Sequence, residues 1–146
     1  MDVTNPTRTS SKALMQVEKE LQQLPGIQTT ILRMAGLAGG DRKAGRFLAG
    51  RKAVKNGDAP VNMLHRDDCI LIMHEVIQQQ QWGELFNVCA DEHPTRKDFY
   101  TAQAKKEGLE PPTFAKTDAL SYKIISNQKL KDTLGYEFLH PDPMDF

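Results

Sequence analysis

The chain has 146 residues, the length of one typical domain, and 39% of them are hydrophobic, which is enough for a modest core. It carries 19 lysines and arginines against 19 aspartates and glutamates, so the net charge of zero predicts neither nucleic acid nor a membrane as a partner. No apolar run approaches the roughly 18 residues that span a bilayer, and the first residues lack the features of a secretory signal.

A helix is predicted over residues 10–24, capped by Ser10 or Ser11 and ended by Pro25-Gly26. Spacings of three and four place four apolar residues on one stripe of this helix: Leu14, Val17, Leu21 and Leu24. A buried strand over 27–34, a loop over 35–41 and a short helix over 42–50 are expected next.

The middle of the chain continues the alternation of strands and helices. Residues 59–64 read as an extended stretch, followed by a helix over 67–81 with Asp67 or Asp68 as its N-cap. The centre of that helix is apolar nearly all round, which predicts burial on more than one side. A second strand is expected over 84–90.

The last third begins with Thr95-x-x-Asp98, a capping box that opens a helix over 96–108. A short extended piece is predicted over 122–126, then a final helix capped by Asn127 and ended by Gly135. The tail over 136–146 has two prolines and is expected to be irregular. Alternating strands and helices place the chain in the α/β class.

The glycines at 36, 39 and 40 follow a predicted strand, as they would in a phosphate-binding loop. Their spacing, G-x-x-G-G, fits neither the dinucleotide pattern G-x-G-x-x-G nor the Walker pattern, and a helix precedes the strand. The loop is therefore interpreted as a turn out of a sheet edge, with no phosphate bound by it alone.

Residues 42–55 hold a basic run without a single acid. Arg42 and Arg46, four apart, would share a helix face, where guanidinium groups suit a diphosphate. The alternative is a solvated basic face.

His65 with Asp67 and Asp68 raises the question of a metal site. Adjacent carboxylates before a helix more often cap it, so no metal site is predicted. His74 is expected to be a hydrogen-bonded core or boundary residue, while His93 and His140 lie in loops and carry no signal.

Two cysteines, Cys69 and Cys89, lie far apart in apolar stretches. They indicate reduced core thiols in a cytoplasmic protein.

Four stretches resemble the landmarks of one family, in that family's order. TTILRMAGLAGGDR (29–42) is similar to L-R-x-[AGN]-x-x-Y-G-P-G, and PVNMLHRDDCILIM (60–73) to a strand end with H-x-D-D and a helix. GELFNVCADEHPTRKDFYTAQAKKEGLEPP (83–112) resembles G-x-x-F-N-V-x-D with its proline-threonine helix start. KIISNQKLKDTLGYEF (123–138) matches S-N-x-[KR]-L-x-x-L-G-[WYF]. The chain thus resembles the NAD-dependent epimerase/dehydratase group of extended short-chain dehydrogenases/reductases.

The resemblance implies a single domain, 1–146, that forms the C-terminal, substrate-side portion of that fold. Such a portion would be a partial Rossmann-like fold of late strands and helices plus a small substrate-binding subdomain. The family's glycine fingerprint and Tyr-x-x-x-Lys pair are not matched, because Ser10 and Leu14 stand where the tyrosine and lysine belong. No catalytic or cofactor-binding residue is therefore assigned, and no cofactor is expected for this chain alone, although the family uses NAD or NADP.

In the family the basic region borders a pocket for a substrate, often a nucleotide sugar. The resemblance makes Arg42, Arg46, Asn62 and His65 substrate-binding candidates; for Asn62 the alternative is a strand-end hydrogen bond. The expected function is substrate binding without catalysis by this chain alone. The alternatives are a module that forms homodimers or binds a partner, and a subunit completed by a separate Rossmann half.

Overall fold

The computed structural model describes residues 9–116 and 122–146. Its α-helices are α1 (Thr9–Gln22), α2 (Arg66–Gln78), α3 (Arg96–Lys106) and α4 (Gln128–Leu134). Its strands are β1 (Ile31–Met34), β2 (Gly36–Ala38), β3 (Met63–His65) and β4 (Leu85–Val88). Two short 3₁₀ helices cover Ala44–Phe47 and Pro143–Asp145.

All the strand pairing between these elements is parallel. β1 pairs with β4, so that Leu32 lies opposite Phe86, and β2 pairs with β3, so that Leu37 lies opposite Leu64. Parallel strands joined through helices confirm the predicted α/β class. The prediction of a loop over 35–41 is wrong at its centre, because Gly36–Ala38 is a strand.

Among the described residues, one of two clusters of buried apolar side chains lies where α2 and α4 pack against the strands; the other includes Met63 of β3 and Phe99 of α3. One face of α2 contributes Cys69, Ile72 and Val76, which pack with the β4 residues Phe86 and Val88. The same cluster takes in further buried residues from α4 and the tail: Leu130, Leu134 and Phe138. Burial of large apolar side chains, at about 1.5–3 kcal/mol each, holds these elements together.

The outer face of α2 is exposed, which contradicts the prediction of burial on more than one side. Ile70 is 51% exposed and Ile77 58% exposed, because only the opposite face of the helix meets the core. His74 also lies on the surface beside Glu75, so the expectation of a core or boundary histidine is wrong.

Some of the helix ends lie where the sequence predicts them. Thr95 caps α3 as predicted, since its hydroxyl accepts a hydrogen bond from the Asp98 amide at 3.1 Å, and Gly135 ends α4 with φ of 62°. Asn127 stands at the N-cap of α4 without a capping bond from its side chain. Its amide donates instead to the carbonyl of Cys89 at 2.8 Å.

α2 is capped by His65 rather than by either aspartate. Nδ1 of His65 accepts a hydrogen bond from the Asp67 amide at 3.2 Å. The prediction failed because both aspartates lie inside the first turn, where a carboxylate still complements the helix dipole.

Asp68 is fully buried and fastens the tail to the start of α2. Its carboxylate accepts hydrogen bonds from the Tyr136 hydroxyl at 2.8 Å and from the amides of Leu139 at 2.7 Å and His140 at 3.0 Å. Burial of Tyr136 raises the pKa of its hydroxyl, and the hydrogen bond to the Asp68 carboxylate raises it further. The tail is largely irregular, as predicted, but its path is fixed by these bonds.

α1 carries an uncovered apolar stripe. The predicted helix is present, but it begins at Thr9, so Ser10 and Ser11 lie inside it and neither caps it. No residue of α1 is buried, and Leu14 and Val17 are 65% and 50% exposed. An ion pair between Glu18 and Arg33 connects this helix to β1.

None of the helices within the described ranges combines the length and apolar character needed to cross a membrane. Both cysteines are buried free thiols, as the sequence predicts, and burial raises the pKa of Cys89 to about 11.

Replacing Asp68 with asparagine removes the buried charge and turns one acceptor oxygen into a donor that faces other donors. We expect Asp68→Asn to lower the free energy of unfolding by about 3 kcal/mol, measured by urea denaturation. Asp58→Asn, at an exposed aspartate, is the matched control and should change stability by no more than about 0.5 kcal/mol. Equal effects of the two substitutions would contradict the role of Asp68.

Candidate functional site

A cavity of about 300 Å³ opens where β2 and β3 end. Its walls come from the residues after β2, the end of β3, the last turns of α3 and the tail. The lining side chains with polar groups are Arg42, Lys43, His65, Gln103, Lys106 and Glu107. The carboxyl ends of parallel strands are a common location for ligand sites, because the following loops converge there.

Two glycines after β2 allow this convergence. Gly39 and Gly40 have φ of 108° and 60°, in the region that favours glycine. A Cβ atom on Gly39 would lie 2.5 Å from Nε2 of His65, and one on Gly40 would overlap the guanidinium of Arg66. The glycine pair therefore makes room for side chains, which explains why its spacing is not that of a dinucleotide loop.

His65 forms the end wall of the cavity. Its Nδ1 accepts the capping bond, so a neutral ring carries its proton on Nε2, the nitrogen nearest Gly39. Burial lowers the pKa of His65, and the nearby His140 lowers it further. The two imidazole rings lie 3.8 Å apart between centroids, and the ring of Phe146 meets His65 edge-on at 5.1 Å.

Arg42 lines the cavity and Arg46 does not. Nε of Arg42 donates to the Leu37 carbonyl at 2.8 Å, and its guanidinium lies 5.3 Å from the centre of the Phe47 ring. Arg46 is largely exposed, with its guanidinium 3.7 Å from the carboxylate of Glu107. The prediction that both arginines share a helix face is wrong, because regular structure here is confined to Ala44–Phe47.

Asn62 fixes a neighbouring segment. Its amide donates to the Lys123 carbonyl at 2.9 Å and accepts from the Ile125 amide at 2.9 Å. These bonds match the strand-end alternative, and Asn62 is not among the residues that line the cavity. Of the four substrate-binding candidates, the structure brings together Arg42 and His65.

Several cavity residues carried no signal in the sequence. Glu107 accepts a hydrogen bond from the Gly45 amide at 2.7 Å, and Gln103 donates to the carbonyls of Pro143 and Met144 at 3.2 and 3.3 Å. Lys106 donates to the Asp145 carbonyl at 3.2 Å. Gln103 and Lys106 thus join α3 to the tail, and Glu107 joins the end of α3 to the 3₁₀ helix at Ala44–Phe47. These contacts span long sequence separations, which no local motif reveals.

The cavity combines cationic groups with a neutral hydrogen-bond donor. Arg42, Lys43 and Lys106 supply positive charge, and Nε2 of His65 supplies a donor. Only Glu107 among the lining residues is acidic. This arrangement suits an anionic ligand with several acceptor oxygens.

No family model matches the chain. The chain is 40% identical over 141 residues to Protein YeeZ of Escherichia coli K12, and the same values hold for Protein YeeZ of strain O157:H7. The alignment covers 96% of this chain and 51% of Protein YeeZ. The chain therefore spans about half the length of the curated relatives that it matches.

Solved structures with the same fold include a functionally unknown conserved protein from Silicibacter pomeroyi, with a TM-score of 0.82 and 22% identity over 99% of this chain and 57% of that one. A putative NAD-dependent epimerase/dehydratase from Methylobacillus flagellatus superposes with a TM-score of 0.68 and 23% sequence identity. The match covers 99% of this chain and 54% of that protein. UDP-N-acetylglucosamine 4-epimerase from Bacillus cereus superposes with a TM-score of 0.64 and 16% sequence identity. The match covers 90% of this chain and 48% of the epimerase.

The fold is epimerase/dehydratase-like. That agrees with the Rossmann-type resemblance in the sequence, and at these identities the likeness concerns the fold alone.

Asn62→Ala separates a structural role from a ligand-binding one. Loss of two hydrogen bonds, at about 1 kcal/mol each, should lower stability by about 2 kcal/mol, with no more than a twofold change in affinity for any ligand of the cavity. Asn87→Ala is the control, since the Asn87 side chain makes no hydrogen bond within the described residues. Thermal unfolding and calorimetric titration are the measurements; a large loss of affinity with unchanged stability would contradict the structural role.

Proposed function

We propose that this chain is the substrate-binding portion of an NAD-dependent epimerase/dehydratase-like protein and that its cavity binds the diphosphate of a nucleotide sugar. The observation that carries the proposal is that Arg42, Lys43, Lys106 and His65 line one cavity at the ends of β2 and β3. Guanidinium and ammonium groups bind phosphate oxygens well, and a neutral imidazole N–H adds a directed hydrogen bond.

We further propose that the chain alone neither catalyses the family's reaction nor binds its dinucleotide. Ser10 and Leu14 occupy the positions that the resemblance gives to the catalytic tyrosine and lysine, and both are exposed on α1. Neither side chain can exchange a proton with a sugar hydroxyl as a tyrosine supported by a lysine does. Gly39 and Gly40 pack against His65 and Arg66, and their spacing does not match the dinucleotide pattern, which argues against a dinucleotide-binding loop here.

Calorimetric titration of the chain with UDP-N-acetylglucosamine, and separately with NAD and NADP, tests this proposal. We expect saturable binding of the nucleotide sugar and none of either dinucleotide. Arg42→Ala removes one charged contact to phosphate and should weaken binding about tenfold, the effect of about 1.4 kcal/mol. Arg51→Ala, an exposed member of the same basic run outside the cavity, should leave the affinity unchanged.

Saturable micromolar binding of NAD or NADP would overturn the proposal that the chain lacks a cofactor site. If Arg42→Ala and the unchanged chain bound the nucleotide sugar with equal affinity, the proposed location of its site would be wrong.

A second function, as a module that associates with itself or with a partner, is favoured by the uncovered stripe of α1. Leu14, Val17 and Leu21 on α1, and Leu24 just after its last residue, are each at least 42% exposed, although their spacing is that of a buried helix face. A second copy of the chain that packs its own stripe against this one would cover both. A separate polypeptide that supplies the remaining Rossmann half would cover the same face.

We expect light scattering to give a mass twice the 16.4 kDa of one chain. Val17→Glu places a charge in the stripe and should halve that mass, while Lys12→Glu on the opposite side of α1 should not. A mass of one chain at every concentration would contradict the homodimer. Co-purification of a Rossmann-type polypeptide through the same stripe would then identify the separate half as the partner.

A further inference from the structure

Two imidazoles and a carboxylate meet where the tail crosses the start of α2. His65, Asp67 and His140 each present a ligand atom within 4.8 Å of the other two. Nδ1 of His65 lies 3.8 Å from Oδ2 of Asp67, and the ring of His140 lies over that of His65. The sequence paired His65 with Asp67 and Asp68 and favoured capping; the structure commits Asp68 to the tail and brings in His140 instead.

The three ligand atoms make few hydrogen bonds to other groups. Over the described ranges, the ring nitrogens of His140 make no hydrogen bond, and Arg66 contacts Oδ1 of Asp67 rather than Oδ2. The bond from the Asp67 amide to Nδ1 of His65 is long, at 3.2 Å. A cation at Nδ1 would replace that one bond, and the first-turn aspartates would still complement the helix dipole.

We propose that His65, His140 and Asp67 bind one divalent transition-metal ion, with Zn²⁺ as the best match. Two imidazoles and one carboxylate are typical zinc ligands, and a three-residue set leaves a position for water or another ligand. Zinc lies about 2.0–2.2 Å from each ligand atom, so a tetrahedral site needs ligand atoms roughly 3.4 Å apart. The half-exposed Asp67 side chain can close the remaining distance by a change of rotamer.

The surroundings favour the form of histidine that binds metals. Burial lowers the pKa of His65 and so favours the neutral imidazole, which is the ligating form. The backbone amide of His140 donates a hydrogen bond to the Asp68 carboxylate at 3.0 Å, which fixes the backbone from which the His140 side chain extends. His65 also lines the cavity, whereas Asp67 and His140 do not, so zinc binding can be tested whether or not the cavity binds a nucleotide sugar.

The test is calorimetric titration of the chelator-treated chain at pH 7.5 with ZnCl₂, repeated with CoCl₂ under visible absorption. We expect one ion per chain and cobalt absorption typical of a site with nitrogen ligands. His140→Ala should weaken zinc binding at least tenfold and diminish the cobalt bands. Asp67→Asn, at a half-exposed position that does not threaten folding, should also weaken binding at least tenfold.

His74→Ala is the matched control, because Nδ1 of His74 lies 3.7 Å from the Glu75 carboxylate and no third metal-ligating group joins them within the described residues. It should leave zinc affinity unchanged. The absence of saturable binding, or equal losses in His74→Ala and His140→Ala, would overturn the proposal.

Discussion

The carboxylate of Asp68 is the interaction on which the candidate site depends. A buried charge is tolerated only when donors surround it, and all three donors recorded for Asp68 come from the tail. The same bonds therefore satisfy the charge and determine where the tail runs. They bring His140 onto His65 and lead the chain on towards Phe146 at the cavity.

The cavity itself follows from the parallel pairing of β2 with β3. That pairing ends both strands at one edge, so the residues after β2 face His65 at the end of β3. At Gly39 and Gly40 a Cβ atom would meet the side chains of His65 and Arg66, and both residues have positive φ, so glycine is favoured at these two positions. A strand, a glycine pair and an arginine suggest a phosphate loop in the sequence, but here the glycines accommodate side chains and the arginine provides the charge.

Local signals in the sequence predicted much of this fold. The spacing of apolar residues gave α1, and Thr95 and Gly135 gave helix ends, because each of these features depends on neighbours within a few residues. The sequence did not predict β2, because glycine is a poor strand former. β2 forms by pairing with β3, which is distant in the sequence. The family resemblance supplied the fold, while periodicity alone could not tell which apolar face of α2 is covered.

The candidate site was less predictable, because its parts come from distant segments. Arg42 and His65 were identified from the basic run and from H-x-D-D, whereas His140 carried no signal until Asp68 placed it. Asn62 and Arg46 have the right residue types, but neither lines the cavity: Asn62 bonds to the backbone at Lys123, and Arg46 is largely exposed beside Glu107. A local sequence motif does not predict a site whose residues come together through long-range contacts.

The central claim is that the tail belongs to the folded unit through Asp68, and amide hydrogen exchange followed by NMR tests it most directly. The account predicts that the amides of Leu139 and His140 exchange as slowly as the core amides of α2, since both donate to a buried carboxylate. Exchange of these two amides at the rate of an unstructured peptide, while α2 remains protected, would contradict it.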